Sequence, residues 1–216
     1  MIIEFIGLPG SGKSYISKKL IYSLKKNKKE IIFENKLKIN KIIKIYLFLK
    51  FCLKNLGLCL VFTIIHLSNK TLDKNKKNLH FYWIVREIIA FEYCNKFGKV
   101  LIRSEGFHQR FLFYLINIGK TKISNSEMIL LKLIPIPDKI VMISISKNKS
   151  IFLTKKRKKG FKYDANSLNK INHTIKILKQ IKKFFLENHK FKLIYLKDLK
   201  NEKLLIKNLR SYIFNF

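Results

Sequence analysis

The stretch IIEFIGLPGSGKSYISKKL, residues 2–20, decides the fold of this chain. Residues 2–6 (IIEFI) form a short apolar run of the kind that makes a buried strand, and the run ends at Gly7. From Lys13 onward, apolar side chains recur every three or four positions, which predicts an amphipathic helix. The stretch therefore predicts a strand, a glycine-rich loop and a helix in direct succession.

The loop between these two elements, GLPGSGKS at residues 7–14, matches the spacing G-x-x-x-x-G-K-[ST] of phosphate-binding loops. Glycines let the backbone curl so that successive N–H groups point inward, and the helix adds the positive end of its dipole. Lys13 can reach the β- and γ-phosphates, and the Ser14 hydroxyl can bind Mg²⁺. We therefore predict a site for a nucleoside triphosphate with Mg²⁺, taken as ATP although the residues leave GTP open. The residues predicted to bind the nucleotide are Gly7, Leu8, Pro9, Gly10, Ser11, Gly12, Lys13, Ser14 and Tyr15.

Four further apolar runs, separated by helical patterns, extend this arrangement along the chain. They lie at residues 30–34, 99–106, 139–145 and 191–196. Strands that alternate with helices form a parallel sheet that is covered on both faces. We expect an α/β protein, a three-layer sandwich around a five-stranded parallel sheet, in a single domain over residues 1–216. Residues 36–80 are expected to form a helical insertion, with two helices over residues 36–68 that are hinged at Gly57.

The charge of the chain is strongly one-sided. Its 216 residues include 46 basic and 13 acidic side chains, for a formal net charge of +33. Such a charge attracts nucleic acid, anionic membranes and phosphorylated ligands. Only five of the basic residues are arginine and 41 are lysine, spread over every segment, as the codon bias of an AT-rich genome would produce. Because basic clusters with interleaved aromatic residues do not stand out, nucleic acid is not the expected partner.

Residues 42–67 are very apolar and leave two interpretations open. Lys44, Lys50 and Lys54 interrupt this segment, and its charge-free run, residues 55–69, is shorter than a spanning helix needs. The segment is then either a set of buried helices or a contact with a membrane surface.

The cysteines and the start of the chain indicate the compartment. Cys52, Cys59 and Cys94 form no C-x-x-C pair, which is typical of free thiols in a reducing environment, and they show no metal-ligand spacing. No leader precedes the first strand, so we expect a cytoplasmic protein.

A second polar turn follows the apolar run near residue 100. In LIRSEGFHQR (residues 101–110) the strand leads into Glu105, Gly106 and Phe107. Here the chain resembles the P-loop kinases of the thymidylate kinase-like and nucleoside monophosphate kinase group. The corresponding strand of those kinases often ends in Asp-Glu-Gly, or in Asp-Arg followed by an aromatic residue. This chain has Ser104 where the acid would be. The resemblance implies that Glu105 is either the base that acts on the acceptor or a group that holds Mg²⁺ indirectly, while a solvated turn residue is the alternative.

The same resemblance implies a basic lid over residues 147–164. The run TKKRKKG (residues 154–160) carries Arg157, whose planar guanidinium suits phosphate oxygens and would neutralise charge in the transition state. A solvated charge run is the alternative. Acceptor-binding roles are implied for Arg86, Arg103 and Arg110, with the insertion on the acceptor side. Arg86 has a second interpretation, as the ion-pair partner of Glu87 or Glu92.

The function that the resemblance implies is a phosphotransferase. It would move the γ-phosphoryl group of ATP, with Mg²⁺, to a small acceptor such as a nucleoside monophosphate, a nucleoside or a sugar. Lys13, Glu105 and Arg157 would be the catalytic residues. The alternative is a nucleotide-binding NTPase or regulatory protein that associates with a membrane or nucleic acid. The oligomeric state stays open, with a homodimer as one possibility.

Overall fold

A five-stranded parallel sheet forms the centre of the structure. A computed structural model of the chain describes residues 1–25, 31–33, 39–68, 74–156, 167–188, 192–197 and 202–214. The strands are β1 (Ile2–Gly7), β2 (Ile31–Phe33), β3 (Val100–Arg103), β4 (Lys139–Ser144) and β5 (Leu193–Lys197). They lie in the order β2-β3-β1-β4-β5, and every neighbouring pair is parallel. The predicted fold class is confirmed.

Helices connect these strands and follow the last of them. Within the described residues they are α1 (Lys13–Lys25), α2 (Lys41–Lys54), α3 (Leu56–Ser68), α4 (Lys74–Lys96), α5 (Phe107–Asn117), α6 (Asn125–Leu133), α7 (Lys147–Lys155), α8 (Ser167–Glu187) and α9 (Glu202–Phe214).

The two faces of the sheet bury alternate side chains, as the pleat of a strand requires. Ile3 and Phe5 of β1 pack with α1 and α9 on one face. Ile6 of the same strand packs with α5 and α8 on the other face. Both faces are therefore covered, which explains why the strands read as continuous apolar runs rather than as alternating ones.

The strand order places a binding crevice at the carboxyl end of β1. The chain passes from β1 to β2 on one side, returns through β3, and then crosses β1 to reach β4. In open α/β sheets ligands bind where the order reverses in this way. The loop after β1 and the turn after β3 both open at this edge.

The predicted insertion is helical, but its break lies elsewhere than expected. The sequence suggested a hinge at Gly57, whereas α2 ends at Lys54 and Asn55 forms the break. The backbone N–H of Asn55 donates to Phe51 O and Cys52 O, and its side-chain amide donates to Phe51 O. A capping side chain therefore ends the helix, and Gly57 lies inside the first turn of α3. Residue 80, where the insertion was expected to end, lies inside α4.

None of the helices that the structure describes is by itself long and apolar enough to cross a bilayer. Lys41–Lys54 together with Leu56–Ile64 meets that requirement as a pair, by length and composition alone, with a bend of 91° at the break.

Candidate active site

The loop after β1 has the backbone shape of a phosphate cradle. Gly10 and Gly12 have φ angles of 76° and 84°, which only glycine adopts at little cost. Ser11 N–H donates to Leu8 O at 3.1 Å, which closes a tight turn between them. The loop leads directly into α1, so the positive end of the helix dipole faces the space that the loop encloses.

Lys13 lies folded across this loop. Its side chain is 7% exposed, and Nζ donates to Gly7 O and Leu8 O, each at 2.9 Å. The ammonium group is therefore held where the phosphates of a nucleotide are expected. Ser14 is exposed at the start of α1, and Tyr15 is exposed beside it with the Lys19 ammonium 5.4 Å from its ring centroid.

Helix α7 supports the loop from the side of β4. Ser150 Oγ donates to Pro9 O at 2.7 Å. A Cβ atom on Gly10 would lie only 3.1 Å from Ser150 O and from Thr154 Oγ1, so the loop and the helix are in close contact. The first part of the predicted lid is thus a helix packed on the phosphate loop. Residues 157–164 of that lid, with Arg157, lie outside the described residues, and its role stays a prediction.

Glu4 connects the loop to the helix that follows β3. It lies within β1, is 3% exposed, and accepts from Gln109 N–H at 2.9 Å, while its other oxygen is 2.9 Å from His108 Nδ1. Gly106 at the N-cap of α5 has no side chain to cap the helix, so Glu4 supplies the acceptor from the neighbouring strand. Gln109 Oε1 in turn accepts from Gly7 N–H at 2.9 Å. The start of α5 is thereby fixed against the phosphate loop.

The turn after β3 touches the start of α1. Ser104 Oγ, in a residue that is almost completely buried, accepts from Ser14 Oγ at 3.4 Å. The residue that replaces the expected acid therefore contacts the hydroxyl that is expected to bind Mg²⁺. Because Mg²⁺ is commonly held by one or two protein oxygens together with phosphates and water, the exposed Ser14 hydroxyl at the start of α1 fits this ion as one such oxygen.

Glu105 is the carboxylate next to this contact, and it forms an ion pair. Its side chain is 39% exposed, and Oε2 lies 3.1 Å from Arg110 Nη2. The Arg110 guanidinium lies 4.3 Å from the ring centroid of Trp83 on α4. Stacking on an aromatic ring and pairing with Glu105 together fix the orientation of Arg110.

Arg103 binds a carboxylate of the neighbouring helix. Its Nε donates to Glu87 Oε2 at 2.7 Å and its Nη2 donates to Glu87 Oε1, and both side chains are almost completely buried. Burial raises the pKa of Glu87, against the lowering effect of the Arg103 guanidinium. Arg103 therefore ties β3 to α4, and its predicted contact with an acceptor stays a prediction.

Arg86 and Arg110 share an unusual feature. In the part of the chain that the structure describes, the Nε atom of each is buried and has no hydrogen-bond partner. Burial lowers the pKa of Arg110, Glu105 and Glu87 raise it, and Arg86 and Arg103 lower it further. The two carboxylates that were considered for Arg86 have other partners, since Glu87 binds Arg103 and Glu92 lies 3.8 Å from Lys50. The charges that act on Arg110 are thus two carboxylates, Glu105 and Glu87, and two further guanidinium groups, Arg86 and Arg103.

An apolar cavity of about 60 Å³ lies behind the Glu105 turn, on the side of the insertion. It is enclosed by α2 to α6, and aromatic rings line much of it: Phe51, Phe62, Phe107, Phe111 and Tyr114. Phe107 follows Gly106 directly, so the cavity begins two residues from Glu105.

Comparisons with known proteins show the fold. No protein-family model matches the chain, and no curated protein does so either. Among solved structures, deoxyadenosine kinase from M. mycoides with the products dCMP and a flexible dCDP matches with a TM-score of 0.59 at 15% identity, over 100% of both chains. The same kinase with bound dATP gives a TM-score of 0.56 at 16% identity, and with bound dCTP 0.52 at 17% identity, each over 98% of this chain and 100% of the other.

These likenesses extend over essentially the whole chain, so the protein has the fold of a P-loop kinase. The neighbours are deoxyadenosine kinases, and the closer assignment to the thymidylate kinase-like group stays a prediction.

The structure brings together some of the residues that the sequence singled out, and it adds others. Lys13, Ser14, Ser104, Glu105 and Arg110 lie along one edge of the sheet. The sequence reasoning missed four residues that shape this edge: Glu4, His108, Gln109 and, as the partner of Arg103, Glu87. For Glu4 a signal existed, because it is the one charged residue in the first apolar run.

Proposed function

We propose that this protein is a kinase that transfers the γ-phosphoryl group of ATP, with Mg²⁺, to a small acceptor. The observation that carries this proposal is the contact between Ser14 and Ser104, 3.4 Å from Oγ to Oγ. Because Glu105 follows Ser104 directly in the chain, this contact supports a role for Glu105 next to the phosphate loop, where an acceptor and a triphosphate would meet.

The residues of the loop would bind the triphosphate. Backbone N–H groups of Gly10 and of residues 12–14 would donate to phosphate oxygens, and the Lys13 ammonium would leave the carbonyls of Gly7 and Leu8 for the β- and γ-phosphates. Ser14 would hold Mg²⁺, which when bound supplies charge neutralisation between the phosphates. Catalysis of phosphoryl transfer is largely positioning and electrostatic stabilisation, and these groups supply both.

Glu105 would act on the acceptor. A carboxylate next to the transferred group can accept the proton of an attacking hydroxyl, which contributes ~10²–10⁴-fold to the rate. The ion pair with Arg110 at 3.1 Å and the stacking of Arg110 on Trp83 hold this carboxylate in one orientation. A role in holding Mg²⁺ through water stays the second possibility for Glu105.

The acceptor would have an anionic or polar end and an apolar or aromatic body. The excess of guanidinium groups over carboxylates around Arg86 and Arg110 suits the polar end. The apolar and aromatic lining of the cavity beyond Phe107 suits the body. A nucleoside or a nucleoside monophosphate meets both requirements, and the likeness to deoxyadenosine kinases supports the same class.

The proposal is tested by measuring ADP formation from ATP and Mg²⁺ with nucleosides, nucleoside monophosphates and sugars in turn. One acceptor class should stimulate ADP formation by the wild type. Lys13→Ala should abolish the stimulation, and Glu105→Gln should lower kcat by ~10²-fold or more. The matched control is Glu187→Gln, which removes an exposed carboxylate on α8 and should leave kcat unchanged. Absence of acceptor-stimulated turnover in every class, with all variants folded, contradicts the proposal.

A further inference from the structure

Helices α2 and α3 are apolar on the side that faces away from the protein. Their outer face, as we call it, consists of exposed residues that recur every three or four positions along both helices. These residues are Ile42, Ile45, Tyr46, Leu49, Leu53, Leu56, Leu60, Ile64 and Leu67. Monomeric soluble proteins rarely expose a continuous row of large apolar side chains of this kind, and such rows mark interaction surfaces.

The opposite side of the same helices is fixed in the protein core. Leu47 and Phe51 of α2 and Leu58 of α3 are buried, and the last two belong to the main core cluster. The pair is therefore anchored by one face and offers the other face to a partner. Helices of 14 and 13 residues are each about 20 Å long, which is short of the ~30 Å of a bilayer core. With a bend of 91° between them, the two helices fit along the surface of a membrane better than across its core.

The charge of the pair indicates the kind of partner. Neither helix contains an aspartate or a glutamate, and Lys41, Lys44 and Lys54 are exposed on α2. A second copy of the chain would bring the same lysines and the same net charge of +33 against this face, which electrostatic repulsion opposes. A surface with negative headgroups above an apolar interior matches both the lysines and the outer face.

We propose that the outer face of α2 and α3 docks this protein on the surface of a bilayer that contains anionic lipid. Leucine and isoleucine side chains of the outer face enter the boundary between headgroups and acyl chains, while Lys41, which lies on the same side of α2 as Ile45 and Leu49, contacts the headgroups. The inner side of the pair lines the apolar cavity through Phe51, Leu58 and Phe62, so docking places the wall of that cavity next to the membrane. The proposal stands independently of the kinase activity.

Sedimentation with vesicles tests this docking on the full chain. The vesicles consist of phosphatidylcholine alone or with about one third phosphatidylglycerol as the anionic lipid. The wild type should sediment with the anionic vesicles far more than with the neutral ones, and less so at high salt. The double variant Leu53→Ser/Leu60→Ser, at side chains 73% and 62% exposed, should lower the partition coefficient by ~10-fold or more because apolar burial is lost.

The matched control is Leu186→Ser/Tyr212→Ser, which removes apolar side chains of similar exposure, 59% and 69%, from α8 and α9. It should change the partition coefficient by less than ~2-fold. A second pair on the outer face, Leu49→Ser/Ile64→Ser, repeats the test, and circular dichroism verifies that each variant is folded. Equal binding of the wild type and the outer-face variants would show that charge alone attracts vesicles, and it overturns the proposal. So does an absence of vesicle binding, and so does a dimer in solution that the outer-face variants dissociate.

Discussion

At the scale of single residues, Glu4 joins parts of the chain that lie far apart in the sequence. The proposed roles of Lys13 and Ser14 follow from a spacing of eight residues, because a loop that binds phosphate is built from local backbone geometry. The role of Glu4 depends on His108 and Gln109, more than a hundred positions later, which reach it only because β3 pairs with β1. Contacts of this kind are set by the tertiary fold and carry no local pattern.

Gly106 gives the first prediction at this scale. A Cβ atom there would lie 2.7 Å from Glu4 Cδ, and Glu4 cannot yield because both of its oxygens are hydrogen-bonded in the core. Gly106→Ala should lower the free energy of unfolding by about 1–3 kcal/mol, measured by urea titration, and should reduce activity through the displaced Glu105. The control Gly57→Ala, which meets no atom within 4 Å inside α3, should be neutral or slightly stabilising. Equal effects of the two substitutions would refute the assigned role of Gly106.

His80 gives a pH dependence of stability. Burial, His66 and Arg110 lower the pKa of His80 from 6.5 to about 4. The unfolded chain therefore takes up the proton first as the pH falls, and the contribution of His80 to stability is lost between pH 6.5 and about 4. The slope should reach up to ~1.4 kcal/mol per pH unit. Urea titrations at several pH values should give a steeper slope for the wild type than for His80→Gln, and identical slopes would contradict this assignment.

At the scale of elements, the sequence predicted which strands and helices exist better than it predicted the residues at which they begin and end. The five strands and the helical insertion were found because apolar runs and helical periodicity mark them directly. The break between α2 and α3 was placed at Gly57 because glycine interrupts helices, but Asn55 ends α2 with its own side chain. The junction between β3 and α4 could not be predicted, since the pairing of Arg103 with Glu87 depends on how the helix packs against the strand.

The ion pair between Arg103 and Glu87 should stabilise the junction of β3 and α4. Glu87→Gln leaves a buried guanidinium without its carboxylate and should lower the free energy of unfolding by about 3–5 kcal/mol. The control Glu187→Gln breaks the exposed ion pair with Lys183, whose atoms are 3.6 Å apart, and should change the free energy of unfolding by less than about 0.5 kcal/mol. Urea titration measures both values. If Glu87→Gln lowered the free energy of unfolding only slightly, the two hydrogen bonds between Arg103 and Glu87 would add little to this junction, which would contradict the prediction.

At the scale of the whole molecule, the order of strands and helices was enough to predict the fold class. No local sequence pattern predicts which acceptor the protein would bind. Strands that alternate with helices after a phosphate loop leave few topologies, and the sheet order β2-β3-β1-β4-β5 is one of them. The cavity beyond Phe107 is formed by α2 to α6 together, so its size and apolar character exist only in the folded molecule. The outer face of α2 and α3 also becomes visible only in the folded molecule. From the sequence alone, the same segment could have been either buried helices or a contact with a membrane surface.

The net charge of +33 predicts how salt affects stability. Repulsion among the basic side chains disfavours the compact state, and salt screens it. Between about 0.02 M and about 0.3 M NaCl the screening length falls from roughly 20 Å to roughly 6 Å. The thermal unfolding midpoint should therefore rise by roughly 2–4 °C, which corresponds to about 1 kcal/mol for a chain of this size. KCl should act like NaCl, and an unchanged or falling midpoint would contradict the prediction.

The fate of the γ-phosphoryl group tests the proposed kinase activity most directly. The wild type is incubated with Mg²⁺, γ-labelled ATP and a mixture of nucleosides, nucleoside monophosphates and sugars, and the labelled products are separated. We predict label in one acceptor with the wild type and none with Lys13→Ala. Label that appears only as inorganic phosphate, at a rate that acceptors do not change, would identify an NTPase and contradict the account.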